Sequence, residues 1–418
     1  MPTRYRMVLG TFLLALIVLF DRIMISVAKD PVAADLGLSD KQMGWVLAIF
    51  ALGYALFQAP AGAAADRFGP RRVLTWVVSL WSIFTALTGA AWNFVSLLLV
   101  RFVFGAGEAG AFPSMARAIY AWIPLGERGI VNGINFSGGR IGAAIALPVV
   151  AVLIAQFGWR WSFVILGAVG VGWALYWWVW FRDEPADHRG VGPAELSYIR
   201  AHTERRDGGE GPTLTAGQLF GDRNMWLLMG QYFGSNFTFF FTLTWLFPYL
   251  KNTYTLDFAA TGFYAAAPLL AGALGNWFSG WLVDRLYGEG RLTRSRKLPA
   301  LIGFALAAGG VLLSVGQAEV GPAVFWLCVA VFGADMTLAP SWAACVDIGR
   351  ASSGTVSGTM NMAGNLGSFL TALAFPYLVA EFGSEQPFFY VAAALSLLSM
   401  ALWMTVDLSR PIAAANGR

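Results

Sequence analysis

Gly62-Ala-Ala-Ala-Asp66-Arg67-Phe-Gly69-Pro-Arg71-Arg72 closes one long apolar stretch of this chain, and Gly280-Trp-Leu-Val-Asp284-Arg285 closes another. The two aspartates stand 218 residues apart in a chain of 418. A single copy of such a segment is a charged loop at an apolar boundary. Two copies at an offset of about half the chain mean that the chain repeats itself.

Working outward, the surrounding sequence is 57% hydrophobic and only 12% charged, with a mean hydropathy of +0.60. A soluble chain carries about 25% charged residues, so this one lacks the charge to cover a water-facing surface. Eighteen Trp and 32 Phe suit a chain bathed in lipid and anchored at two interfaces. A spanning helix needs about 20 mostly apolar residues. That template predicts an all-α membrane protein with twelve spans, over 7–28, 43–65, 73–92, 95–120, 129–157, 161–181, 224–250, 257–283, 298–317, 320–345, 354–380 and 386–406. The long polar stretch 182–223 divides them into an N-terminal half (1–181), a linker loop and a C-terminal half (224–418). With the N-terminus inside, 21 of the 28 Lys and Arg fall in cytoplasmic segments. Lys29, Lys41, Arg160 and Lys251 fall outside, and Arg22, Arg101 and Arg140 within spans. That bias places both termini in the cytoplasm. Parallel halves with a site between them at mid-membrane are the build of an alternating-access carrier, here two pseudo-symmetric six-helix halves around a central cavity.

The same reading excludes several functions. Both histidines, His188 and His202, lie in the polar linker, so no intramembrane His relays protons or holds a metal. Cys328 and Cys345 are 17 residues apart on what reads as one helix, about 25 Å at 1.5 Å per residue, too far for a disulfide. The net charge of +4 is a topology signal rather than a nucleic-acid footprint. There is no P-loop and no nucleophile–base or metal constellation, so neither an ATP-driven pump nor a membrane enzyme is expected, and no cofactor. The first apolar stretch reads as a retained helix rather than a cleaved leader.

The loop Gly62-x-x-x-Asp66-Arg67-x-Gly69-x-Arg71-Arg72 resembles the signature of the major facilitator superfamily between spans two and three, and the resemblance covers nearly the whole chain. In that family the loop is a cytoplasmic latch, with the Asp against a neighbouring helix end and Arg residues bracing it. The resemblance therefore implies gating roles for Asp66, Arg67 and Arg71, and for Asp284 and Arg285 in the second copy. A narrower resemblance is to the anion:cation symporters, such as bacterial galactonate, glucarate and hexuronate permeases and, more distantly, sialin and the vesicular glutamate transporters. It rests on Asp21-Arg22, Tyr54, the run from Arg101 to Glu108-Ala-Gly-Ala-Phe-Pro113, Phe157-Gly-Trp-Arg-Trp-Ser-Phe163, and Ser357-Gly-Thr-Met-Asn361-Met-Ala-Gly-Asn365. Carried over, Arg101 binds a substrate carboxylate, Asp21 and Glu108 carry the proton, and Arg22 modulates Asp21 or contacts substrate. Tyr54 matches a substrate-contacting Tyr, and Asn361 approximately matches a binding position.

The residues stand out without the resemblance. Ionisable groups within spans are costly and face the bundle interior. Three acids, Asp21, Glu108 and Asp335, oppose three bases, Arg22, Arg101 and Arg140. Protonating one acid leaves the interior positive and ready for an anion. Arg101 and Glu108 share a face two turns apart, about 10 Å along the axis, so each must find its partner elsewhere. Arg22 and Arg101 fall at similar depth, where guanidinium forks could hold one carboxylate. The alternative for each is an ion pair that only ties helices together.

Gln231, Tyr232 and Asn236 on span seven, Asn361 and Asn365 on span eleven, and Trp342 on span ten are candidates to line the site, or else helix ties and cavity wall. Trp92, Trp159 and Trp161 fall at span ends and need only an interfacial reading. Two departures bear on specificity. At Gly139 the galactonate carrier has a Gln used for the sugar acid, and Arg140 adds a cation beside it. Asp335 is a third membrane acid without a match there. Arg140 either reads a second anionic end of the substrate or pairs with Asp335 to close a gate. The sequence thus points to a proton-coupled symporter of an organic anion, a sugar acid or other carboxylate, acting as a monomer in a bacterial inner membrane. Its partners are the anion, protons and the lipid bilayer. The rivals are an anion exchanger or efflux carrier, and a transporter-like receptor signalling through the 182–223 loop.

Overall fold

The computed structural model describes residues 1–203, 214–256, 258–288 and 291–412. Positions 204–213 of the expected linker lie outside the described residues. The chain is helical throughout, in the order α1 (Thr3–Val27), α2 (Lys29–Leu36), α3 (Asp40–Phe68), α4 (Pro70–Thr88), α5 (Phe94–Glu108), α6 (Ala111–Trp122) and α7 (Arg128–Trp180). After the linker helix α8 (Pro193–His202) and the short α9 (Ala216–Gly221) come α10 (Arg223–Thr244), α11 (Leu246–Thr253), α12 (Phe258–Gly288), α13 (Leu292–Ser314), α14 (Val320–Met336), α15 (Leu338–Gly349), α16 (Ser353–Phe382) and α17 (Gln386–Thr405).

Local chemistry sets the ends. Asn93 accepts from the Ser96 backbone and Ser96 answers with its hydroxyl, a reciprocal cap that starts α5. Asp222 takes the Asn224 N–H at 2.7 Å and starts α10. Pro70, whose missing N–H costs nothing in a first turn, opens α4. Within α7 the helix turns at Gly158, whose φ of +73° suits glycine and strains other residues. The arms 128–157 and 159–180 fold back on one another. Thr11 of α1 bonds Asn135 on the first arm at 3.0 Å, while the adjacent Gly10 carbonyl accepts from Trp173 on the second at 3.0 Å. The loop expected at 158–160 is therefore one residue long.

Seven segments among the described residues are long and apolar enough to cross a membrane, the sixth of them, Val320–Phe382, being 63 residues long. Arg71 and Arg72 in α4, and Gln231, Ser235 and Asn236 in α10, hold the mean hydropathy of those helices lower. Three expected continuous spans are broken: at Ala109–Gly110 between α5 and α6, at Trp245 between α10 and α11, and at Thr337 between α14 and α15. The last break corrects the reading of Cys328 and Cys345 as sharing one helix; they lie on α14 and α15 and both are free.

Packing falls into two groups. In the first, α1 and α4 lie along α7, and α3 along α5; in the second, α10 lies along α16 and α17, and α14 along α12 and α13. Across the groups α3 lies along α16 and α7 along α12. The α3–α16 crossing is backbone-close: a side chain at Gly62 would collide with the Gly354 carbonyl. The outer surface is studded with exposed Leu, Phe and Trp, including Trp76, Leu99, Phe263 and Phe325, while Asp21, Arg101, Glu108 and Asp335 are buried. That inversion of the water-soluble pattern fits a hydrocarbon solvent.

Candidate functional site

Four of the six span charges gather where α1, α3, α4 and α5 meet. Arg22 on α1 donates from Nε to Glu108 on α5. The acid is wholly buried, whereas the Arg22 side chain retains 24% of its surface. The Arg22 guanidinium lies 4.5 Å from the Tyr54 ring centre and 5.3 Å from that of Phe50. Arg101 approaches the same Phe50 ring at 5.4 Å and Phe104 at 4.4 Å. It makes no ion pair among the described residues, and its buried Nε has no hydrogen-bond partner there. The two cations therefore flank one aromatic ring. Asp21, adjacent to Arg22 in sequence, points elsewhere: its Oδ2 accepts the Trp81 indole N–H at 3.1 Å and its Oδ1 is buried without a partner. Arg22 thus serves Glu108 rather than Asp21. Trp81 is the residue missed by sequence reasoning; a mid-span indole N–H needs an acceptor, and that was the available signal.

Arg140 and Asp335 come together across the two packing groups. The guanidinium of Arg140 on α7 donates from Nε at 2.9 Å and Nη2 at 2.7 Å to the two oxygens of Asp335 on α14. Asn276 on α12 adds a third donor to Asp335 at 3.2 Å, and Phe239 on α10 lies 3.8 Å from the Arg140 guanidinium. Gly139 faces Leu19 of α1, where a side chain would press on the leucine. One turn from Arg140, Phe136 on α7 and Phe112 on α6 pack against Trp342 on α15, at 5.3 and 5.9 Å. The Trp342 indole donates to the Tyr232 hydroxyl at 2.9 Å.

The amides divide between bonds along their own helix and bonds to a neighbouring one. Asn365 donates to the Asn361 carbonyl at 2.8 Å and to Gln58 on α3 at 3.2 Å. Asn236 donates to the Tyr232 carbonyl at 2.9 Å. Gln231, wholly buried, sits between Met360 and Ser341. Asn361 lies beside the Tyr54 hydroxyl.

At the other end of the same helices both motif aspartates reach across the groups. Asp66 accepts from the backbone N–H of Gly354 at 2.9 Å and of Thr355 at 2.6 Å, and from the Thr355 hydroxyl at 2.6 Å. Asp284 accepts from the backbone of Gly129 at 2.9 Å and Ile130 at 2.7 Å. Each carboxylate therefore sits on the first turn of a helix in the opposite group, α16 and α7, where the unpaired N–H groups and the dipole favour an anion. The motif arginines do not share this work. Arg67 and Arg285 are exposed, over the rings of Phe68 and Trp281. Arg71 donates to the Trp178 carbonyl at 2.7 Å and stays within its own group. Arg117, 3.8 Å from Asp66, is the nearer cation. A further buried cluster was not anticipated: Asp347 on α15 takes Arg128 of α7 at 2.8 Å and Arg296 of α13 at 2.9 Å.

Residues 11–372 match the family described as Major Facilitator Superfamily. The chain is 36% identical to the probable sulfoacetate transporter SauU of Cupriavidus necator, over 94% of this chain and 92% of that one. It is 32% identical to the probable galactarate/D-glucarate transporter GarP of Escherichia coli, over 97% and 94%. Among solved structures, the proton:xylose symporter XylE superposes with a TM-score of 0.78 at 16% identity, over 97% of this chain and 96% of that one. The human organic anion transporter MFSD10 superposes at 0.72 and 17% identity, over 96% and 100%.

Proposed function

From the premise that the chain belongs to the Major Facilitator Superfamily, a family of transporters and not of enzymes, we propose that it is a secondary carrier symporting an organic anion with protons. The named relatives, transporters of sulfoacetate and of galactarate and D-glucarate, support an organic acid as cargo. In this reading twelve spans form two halves, 1–181 and 224–418, joined by the 182–223 linker and rocking about a central site. The positive-inside charge bias supports cytoplasmic termini, and the bacterial relatives support a bacterial inner membrane.

The observation that carries the reading is the Arg22–Glu108 pair beside an Arg101 with no ion-pair partner among the described residues. While Glu108 is ionised it neutralises Arg22. Once Glu108 takes a proton, Arg22 is released, and it faces the accessible side while the acid does not. Two guanidiniums around Phe50 then attract one carboxylate, by charge-assisted and planar pairing. Proton uptake thus precedes or accompanies anion binding, which is the coupling a symporter requires. Asp21, held by Trp81, is the second proton carrier. The paired latches at Asp66 and Asp284 hold one end of the bundle shut, so the opposite end admits the substrate. Arg140, Tyr54, Asn361 and Trp342 line the path between them.

The test is uptake of labelled glucarate or sulfoacetate into proteoliposomes under an inward proton gradient. Uphill accumulation that collapses with a protonophore is expected. Glu108→Gln keeps size and hydrogen bonding but cannot titrate, so accumulation is lost while counterflow persists. Undiminished uphill uptake by Glu108→Gln sinks the assignment, and uphill uptake by the parent protein that ignores a protonophore but requires anion inside the vesicle favours exchange instead.

A further inference from the structure

Resting on the anion-carrier reading, we infer that Arg140 is a second anion subsite, that the substrate carries an acidic group at each end, and that Asp335 stands in for the far one until substrate displaces it.

Four observations carry this. First, Asp335 engages Arg140 through both oxygens, the fork geometry that an incoming carboxylate, and equally a sulfonate, uses. Second, exposure is unequal: the Arg140 side chain keeps 13% of its surface and Asp335 only 1%. The cation is the reachable partner, as Arg22 is in its pair with Glu108. Third, Asp335 is not stranded when Arg140 turns away. Asn276 donates to it at 3.2 Å, and α12 carries Gly272 where any side chain would collide with the carboxylate. Asp335 therefore keeps one donor and its close seat against α12 when Arg140 turns away.

Fourth, the register of α1 against the first arm of α7 sets the spacing. Phe12 lies against Gly138 and Leu16 against Gly142. Arg22 is thus level with about residue 148, eight residues beyond Arg140, or about 12 Å at 1.5 Å per residue. Across that gap Arg22 turns to Glu108 and Arg140 to Asp335, so the two heads serve separate carboxylates. It suits a single molecule with an acid at each end, the near acid at Arg22 and Arg101 and the far acid at Arg140. The aromatic group of Phe112, Phe136 and Trp342, one turn beyond Arg140, bounds the far end.

The experiment is calorimetric binding by the purified full-length protein to D-glucarate and D-gluconate and to galactarate and D-galactonate, the members of each pair differing at one end only. The parent protein should prefer each dianion by at least about tenfold, the scale of one charge-assisted pair. Arg140→Gln should weaken the dianions selectively and reduce that preference to below about twofold. Because this variant leaves Asp335 buried without its cation, Arg140→Gln with Asp335→Asn is the folding control and should lose the preference equally. Asp335→Asn alone frees Arg140 and should tighten glucarate severalfold. If the variants weaken mono- and dianions alike, or if Asp335→Asn weakens glucarate, the pair is only a tie between helices and the inference fails. A parent protein that binds no member of either pair overturns the anion-carrier reading itself, and one that binds both members of each pair equally overturns the second subsite alone.

Discussion

Arg101 has aromatic faces where a buried cation ordinarily has a carboxylate, Phe104 at 4.4 Å and Phe50 at 5.4 Å. Rings hold a guanidinium without neutralising it, so the charge stays available to an incoming acid. Arg101→Lys keeps the charge but loses the planar fork and its stacking. Anion binding should weaken by about 1–3 kcal/mol, measured by isothermal calorimetry with the protein's expression unchanged. Equal affinity in the lysine variant means the carboxylate is held elsewhere. At this scale the sequence was legible for residue type and silent on pairing. The spacing of seven between Arg101 and Glu108 correctly excluded a pair along one helix. That Glu108 instead takes Arg22 depends on how α1 approaches α5, which no local spacing encodes. Asp347 was missed for the same reason: its partners, Arg128 and Arg296, lie 219 and 51 residues away and read as topology charges.

Elements were legible wherever apolar length decides them, as α13, α16 and α17 illustrate against expected spans of 298–317, 354–380 and 386–406. Breaks such as Thr337 were not, because small and apolar neighbours keep the hydropathy continuous across a kink. The linker helix α8 had no predicted partner, yet it docks on the first group. Glu195 accepts the backbone N–H of Thr3 at 3.0 Å and of Arg4 at 2.9 Å, capping α1, whose own N-cap, Pro2, offers no side-chain acceptor. Arg4 continues to Glu127 at 3.0 Å, which also takes the Tyr198 hydroxyl of α8 at 3.0 Å. Partial burial works to raise the Glu195 carboxyl, but the backbone donors of Arg4 and Thr3 and the Arg4 charge outweigh it and hold it below its usual value near 4.5. A depressed carboxyl contributes stability that is present above its unfolded value and lost as pH falls through the folded one. Protection from hydrogen exchange, taken relative to the intrinsic rate at each pH, should therefore be high across α8 and the first turn of α1 at neutral pH and fall in acid once the pH drops below the ordinary carboxylate value. Glu195→Gln should give faster exchange already at neutral pH, by the loss of about 1 kcal/mol typical of a helix cap. No change in exchange on either side of α8 would mean that α8 is held by its apolar contacts instead.

For the whole molecule, the repeat that organises the sequence also organises its contacts: Asp66 of the first copy caps α16, and Asp284 of the second caps α7. The aspartates stood out because the same segment occurs twice in one chain, and the family resemblance implied a latch role for them. The arginines beside them were not, since Arg67 and Arg285 turn outward over rings. The proposal that these two contacts are latches of repeated halves makes a specific claim about motion. If the groups part as rigid bodies, one opening breaks both, and their free energies add as for distant sites. A carboxylate on a helix N-terminus contributes about 1 kcal/mol, so Asp66→Asn and Asp284→Asn should each raise the open population about fivefold, and the double variant about twenty-five-fold. Spin labels at Phe68 and Met404, both exposed, report the separation in a background with Cys328 and Cys345 replaced by alanine. The Arg128–Asp347 pair bridges the same end and must also break on opening, so it still favours the closed form in the double variant. Opening by one variant alone, with the other silent and the double no larger, would mean that the two ends move independently and that the repeat is a relic of sequence rather than a shared hinge.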